Sequence, residues 1–160
     1  MNIPIESQAL DALFLQARTH NAWFDKPVDD AQLHRIWDLA RMGPTSANCS
    51  PMRVVFVKSP EAKARLLPAL MEGNRAKVLT APVTAIFGND SQFFELLPKL
   101  FPHTDARAWF AGPGKEGAAA TTAFRNGTLQ AAYFMLAARA LGLDCGPMSG
   151  FDNALGDQEF

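Results

Sequence analysis

Charge and reactive side chains are scarce in this 160-residue chain. Charged residues make up 19% of it and the formal net charge is −1. The lysines and arginines form no run, so nothing attracts nucleic acid or an anionic membrane electrostatically. No apolar stretch reaches the ~18 uninterrupted residues of a membrane-spanning helix. Residues 1–6, Met-Asn-Ile-Pro-Ile-Glu, lack the basic and apolar parts of a secretory signal, so the expected location is the cytoplasm. The two cysteines, Cys49 and Cys145, are far apart and form no CxxC pair, and the three histidines show no ligand spacing. That argues against a zinc site, which needs about four ligands, and points to free thiols in a reducing compartment. Hydrophobic residues are plentiful at 48%. They suit one globular domain over residues 1–160 with a sizeable core, without internal repeat or second domain boundary.

The chain is organised around residues 42–51, Met-Gly-Pro-Thr-Ser-Ala-Asn-Cys-Ser-Pro. Thr45, Ser46, Asn48 and Ser50 put four short polar side chains into one turn between a helical pattern and an apolar strand. Gly43 and Pro51 punctuate its ends. Such a loop can aim several donors and acceptors at one ligand. It can equally be an ordinary helix-to-strand connection with a C-cap at Gly43.

Around it, the periodicity predicts alternating helices and strands. Ile5, Leu10, Leu13, Phe14 and Ala17 share a helical face over 5–19. Arg18 and His20 follow where the pattern breaks; they can meet a phosphate, or form a solvated helix end beside a packed Trp23–Phe24 pair. Asp29 caps the next helix with Gln32 as reciprocal partner, and Leu33, Ile36, Trp37 and Ala40 line its apolar face. Residues 53–58 read as a strand buried on both faces, as in the middle of a sheet. Ser59-Pro60-Glu61 starts a helix to about Met71. Asn74 and Lys77 share a face of the short helix that follows, as a ligand-facing pair or as a solvated edge. Residues 83–87 form a second strand and 91–101 an apolar helix or turn. A glycine-rich loop fills 102–120, with Trp109 and Phe110 covering an apolar site or anchoring the loop. The helix over 121–141 is apolar nearly all round, which suits burial in a domain or at a subunit interface.

Taken in order, Arg18 with His20, Pro44-Thr-Ser-Ala-Asn48 with Pro51, Asn74-x-x-Lys77 and Gly146-Pro-Met-Ser-Gly-Phe-Asp152 resemble the FMN-dependent nitroreductases. The similarity is closest to the branch containing the malonic semialdehyde reductase of pyrimidine degradation. It covers nearly the whole chain; each motif is a short polar loop, and their shared order carries the resemblance.

The resemblance implies an α+β fold, with a central sheet flanked by helices and a homodimer built around a buried helix. It also implies FMN at the dimer interface. Arg18 and His20 would bind its phosphate and ribityl chain. Pro44, Thr45 and Ser46 would line the flavin from one subunit and Asn48 from the other. Asn74 and Lys77 would sit at the pyrimidine edge, and Pro147, Met148, Ser149 and Gly150 would pass along the ring, offering a backbone N–H to N5. No protein nucleophile is required. Hydride would come from NADH or NADPH, and Lys77 would offset the negative charge that builds at the pyrimidine edge.

The implied activity is NAD(P)H-dependent reduction of a small aldehyde, malonic semialdehyde to 3-hydroxypropanoate, or promiscuously of nitroaromatics and quinones. The alternative is a non-catalytic flavin-binding or dimeric scaffold. The chain departs from the family pattern at Ala22, Ser50 and Ser149. The resemblance also implies a further C-terminal segment with basic residues, which this sequence lacks after Phe160, and hence weaker retention of FMN.

Overall fold

The computed structural model describes residues 3–160. Its elements are α1 (Ser7–Leu10) running into a π-turn (Asp11–Leu15), α2 (Asp30–Ala40), β1 (Met52–Val57), α3 (Pro60–Leu66), α4 (Glu72–Thr80), β2 (Thr84–Asn89), α5 (Leu97–Leu100), α6 (Glu116–Ala140) and α7 (Asn153–Glu159). The architecture is α+β, with β1 and β2 paired in a two-stranded sheet. Asp90 N–H donates to the Pro51 carbonyl at 2.8 Å, which places the end of β2 beside the start of β1 and makes the pair antiparallel.

The helix starts follow local capping chemistry. Asp29 Oδ1 accepts the Gln32 N–H at 2.7 Å. The reciprocal half of that box is replaced, because Gln32 Nε2 reaches the Leu141 carbonyl at 3.3 Å. Ser59 Oγ accepts the Ala62 N–H and Pro60 occupies the first turn of α3. At the end of α6, Leu143 N–H returns to the Ala138 carbonyl and Gly142 N–H to Arg139, the paired bonds that close a helix at glycine.

The chain divides into two compact units. One comprises residues 1–33, 55–86 and 138–160. Its core is Val57, Leu66, Leu70 and Val78, with Leu67, Ile86, Met148 and Phe151 packed against it. Buried Lys63 donates through Nζ to the Leu79 and Ala81 carbonyls, satisfying the C-terminal end of α4. The other unit comprises residues 34–54 and 87–137. Its core is Cys49, Phe93, Leu97, Ala106, Ala119 and Ala123, with Ala47, Phe94, Phe101 and Phe110 packed on it. The Phe93 ring meets Phe94 and Phe110 edge to face.

Several expectations need correction. The first helix stops at Leu15, through a π-turn, and leaves Phe14 and Leu15 exposed. Trp23 and Phe24 do not pack as a pair, since Phe24 is 90% exposed. β1 has one neighbour among the described residues, and Arg53 and Val55 are exposed, so it is not buried on both faces. The third helix ends at Leu66 and continues to Ala69 as a 3₁₀ turn, because Pro68 cannot continue the α-ladder. The long helix starts at Glu116, five residues earlier than expected; glycine signals at 112 and 114 mark the loop, whereas Gly117 lies inside the helix. That helix is also two-faced. Ala119, Ala123, Asn126, Gln130, Phe134 and Ala137 are buried at helical spacing, while Phe124, Leu129 and Tyr133 stay exposed. Gly43 has no positive φ. What requires glycine there is the Tyr133 ring, which would lie 2.5 Å from an added Cβ.

Candidate functional site

In the first unit, the chain after Arg18 lies against the segment that begins at Cys145. Thr19 bridges Cys145 in parallel, and His20 N–H donates to the Cys145 carbonyl at 3.1 Å. His20 Nε2 lies 3.5 Å from Asp144 Oδ1. Arg18 is exposed and uses Nη1 on the Leu15 and Ala17 carbonyls at 2.9 and 2.8 Å. The helix-end reading of Arg18 therefore describes what that atom does here.

The α4 pair meets the same segment further along. Asn74 Nδ2 donates to the Gly150 carbonyl at 3.1 Å, and Met71 N–H donates to it at 3.1 Å. An added Cβ at Gly150 would lie 2.7 Å from Asn74 Nδ2 and 2.9 Å from Met71 Sδ, so a larger residue there would have to displace those side chains. Trp23 Nε1 donates to the Lys77 carbonyl at 2.9 Å, tying the 18–23 segment to α4. The half-buried Lys77 has its ammonium in no hydrogen bond or ion pair among the described residues. Nor do the N–H groups of Met148, Ser149 and Gly150 find an acceptor among them. Met148 is anchored in this unit's core, while Pro147 and Ser149 are exposed. Arg18, His20, Asn74, Lys77 and Pro147–Gly150 thus form one connected set within a single unit.

The second unit carries Pro44, Thr45, Ser46 and Asn48. Its loop is unusual in backbone conformation: Ala47, Asn48 and Ser50 have φ of 48°, 51° and 39°. Left-handed conformations are unfavourable for residues with a Cβ. Local bonds hold the turn. Thr45 Oγ1 accepts the Ser50 N–H at 3.1 Å, and the Asn48 and Cys49 N–H groups return to Thr45 and Ser46 carbonyls at 3.0 Å. Asn48 Nδ2 reaches the Leu100 carbonyl at 3.0 Å. Ala47 and Cys49 are seated in the unit's core. From α6, Asn126 and Gln130 accept the Ser46 and Met52 N–H groups.

Burial raises both thiols above the ordinary cysteine range, with the Thr45 hydrogen bond opposing the shift at Cys49 and Arg139 opposing it at Cys145. Neither cysteine is in a disulfide among the described residues, and the raised pKa disfavours the thiolate at both. Among the described residues no group of three or more His, Cys, Asp or Glu could hold a metal ion. No helix among them is long and apolar enough to cross a membrane.

Sequence reasoning missed Trp23 as a tie to α4, Lys63 as its cap, and Asn126 as a support of the loop. The two amides, Asn126 and Gln130, had a readable signal, amide side chains four apart on a mostly apolar helix. Lys63 had none, because a lysine on a surface helix is ordinarily solvated.

The model of the Nitroreductase family matches residues 15–160. A provisionally named NADH dehydrogenase/NAD(P)H nitroreductase of Burkholderia lata is 67% identical over 156 residues, covering 98% of this chain and 79% of that protein. Among solved structures, a provisionally assigned nitroreductase of Bacillus subtilis superposes with a TM-score of 0.84 at 22% identity, over 96% of this chain and 81% of that one. One from Exiguobacterium sibiricum, solved in complex with FMN, gives 0.83 at 17% identity, over 100% of this chain and 81% of that one.

Proposed function

Because the chain belongs to the nitroreductase family, we propose that residues 1–160 act as one FMN-binding domain of an NAD(P)H-dependent flavin oxidoreductase. One observation carries the reading. Among the described residues the main-chain N–H groups of Met148, Ser149 and Gly150, beside Asn74, have no acceptor, and the Lys77 ammonium on α4 has no partner. Such a row of donors with a cation suits a planar, acceptor-rich ring whose charge grows on reduction. The FMN held by the Exiguobacterium sibiricum protein supports this choice of ring.

FMN bound here would supply hydride chemistry between a reduced nicotinamide and the substrate. The chain's residues would bind and orient it. Lys77 would supply positive charge at the pyrimidine edge, and the 148–150 amides would donate along the ring. Arg18, whose Nε and Nη2 make no hydrogen bond among the described residues, and His20 would serve the phosphate and ribityl chain. Pro44, Thr45, Ser46 and Asn48 line the flavin sites of a homodimer. The exposed apolar face of α6, with Phe124 at 66% and Leu129 at 50%, supports pairing with a second copy. The substrate is a small aldehyde of the malonic semialdehyde kind, following the resemblance to the branch containing the malonic semialdehyde reductase, with nitroaromatics and quinones as promiscuous acceptors.

Purified protein is expected to be yellow and to bleach anaerobically with NADH or NADPH, and malonic semialdehyde is expected to restore the colour faster than a nitrofuran. Bound flavin that neither nicotinamide bleaches sinks the enzyme reading. Faster reoxidation by the nitrofuran sinks the aldehyde assignment alone.

A further inference from the structure

Two buried amides on α6 fix the ends of the left-handed loop. Asn126, 6% exposed, accepts the Ser46 N–H through Oδ1 at 2.8 Å and donates Nδ2 to the Thr122 carbonyl at 2.8 Å. Gln130, one turn further and 1% exposed, accepts the Met52 N–H through Oε1 at 2.9 Å. Among the described residues, the three non-glycine residues with positive φ, Ala47, Asn48 and Ser50, all lie between these anchors. So many unfavourable conformations in one short turn persist only where the surroundings over-determine them. The bonds inside the loop are local and move with it, whereas the two amides belong to a long helix.

Gln130 Nε2 has no partner among the described residues. A buried amide with an unmatched donor is less favourable than an apolar side chain of similar size. Packing alone therefore does not account for glutamine at this position; its acceptor for Met52 does.

We infer that Asn126 and Gln130 are positioning residues that hold the 45–52 loop in its left-handed form and so aim Thr45, Ser46 and Asn48. The aiming of these side chains at flavin rests on the function proposed above. The loop's shape does not.

The test compares Asn126→Leu and Gln130→Met, which keep volume and remove the acceptor, with Asn126→Asp, which keeps it. Amide hydrogen exchange over 44–52 is measured without flavin. The leucine and methionine variants are expected to exchange at Ser46 and Met52, respectively, about tenfold faster or more, the equivalent of one lost hydrogen bond. Exchange over 60–80 should be unchanged, and the aspartate variant should return towards wild type. With FMN added, the dissociation constant of the leucine variant should rise about tenfold by the same arithmetic, and the visible band of the bound flavin should move towards that of free FMN. Aspartate should recover both. If the leucine variant does not fold, Gln130→Met decides from Met52. Unchanged exchange in the folded variants overturns the inference. Faster exchange with wild-type FMN affinity and spectrum overturns its aiming half. A wild-type protein that binds no FMN defeats the proposed function, and the exchange data still decide the role of the amides.

Discussion

The two units hold their candidate ligand-facing segments by different means. In the first, residues 145–152 are held mainly by main chain. Thr19 bridges Cys145, Gly150 accepts from Met71 N–H, and Asp152 N–H donates to Ala69 at 2.7 Å. Asn74 is the side chain added to this framework. In the second, residues 45–52 depend on side chains: Thr45 within the loop, Asn126 and Gln130 on α6, and the seating of Ala47 and Cys49 in the core. The conformations differ accordingly. All three non-glycine residues with positive φ lie in the second unit's loop. Main-chain bonds are available to any residue but proline, so a segment held that way constrains sequence chiefly at close approaches, as at Gly150, where an added Cβ would meet the Asn74 and Met71 side chains. A loop held by side chains depends on a few buried groups distant in sequence.

The sharpest way to break this contrast is through the core beneath the second loop. Phe93→Ala removes a fully buried ring against which the Ala47 and Cys49 cluster is packed. It should cost about 3–5 kcal/mol, read as a lower urea midpoint. A loss below about 1 kcal/mol would mean that this core closes over the gap and the loop does not depend on it.

A smaller effect is expected in the first unit from Lys63→Ala. The buried ammonium satisfies two carbonyls at the end of α4, and hydrogen bonds to charged groups contribute about 1.5–3 kcal/mol. Thermal melts should show that loss, and peptides from α4 should exchange faster. Unaltered exchange over 72–80 would show that α4 does not need this cap.

Lys77→Met sharpens the contrast from the other side. The Lys77 ammonium has no hydrogen-bond or ion-pair partner among the described residues, so stability should change by less than about 0.5 kcal/mol. Bound flavin should become harder to reduce, by an amount up to a few kcal/mol in a desolvated site. Spectroelectrochemistry decides it; an unchanged midpoint potential returns Lys77 to a solvated edge.

The smallest effect belongs to the surface. Arg107 grips Glu95 through two bonds of 2.7 Å and holds its carboxyl below the usual glutamate range. A folded-state pKa that is depressed gives stability present above the ordinary glutamate value and lost as pH falls through the lowered one. Both groups are nearly half exposed, so salt screens the pair. Glu95→Gln should lower the melting temperature slightly at neutral pH, and the difference should vanish in acid and shrink in salt. A difference that persists in acid would contradict the assigned cause.

How much of this was legible beforehand depended on the range of the interaction involved. The α+β class rests on the family resemblance, whereas the caps at Asp29, Ser59 and Gly142, the two strands and the loop at 42–51 follow from residues within a few positions of one another. So does the face shared by Asn74 and Lys77. The sequence by itself determined these because hydrogen-bond geometry and φ restrictions act over one turn of chain. Tertiary structure decided what depends on distant partners. Gly43 is glycine because a ring 90 positions away presses on it, and Lys63 is buried because α4 ends against it. Among the described residues β1 has one neighbour where its apolar run suggested two, and α6 keeps one apolar face exposed. Composition records how apolar a segment is. It does not record which surfaces will cover it, because that is set by contacts between segments brought together only on folding.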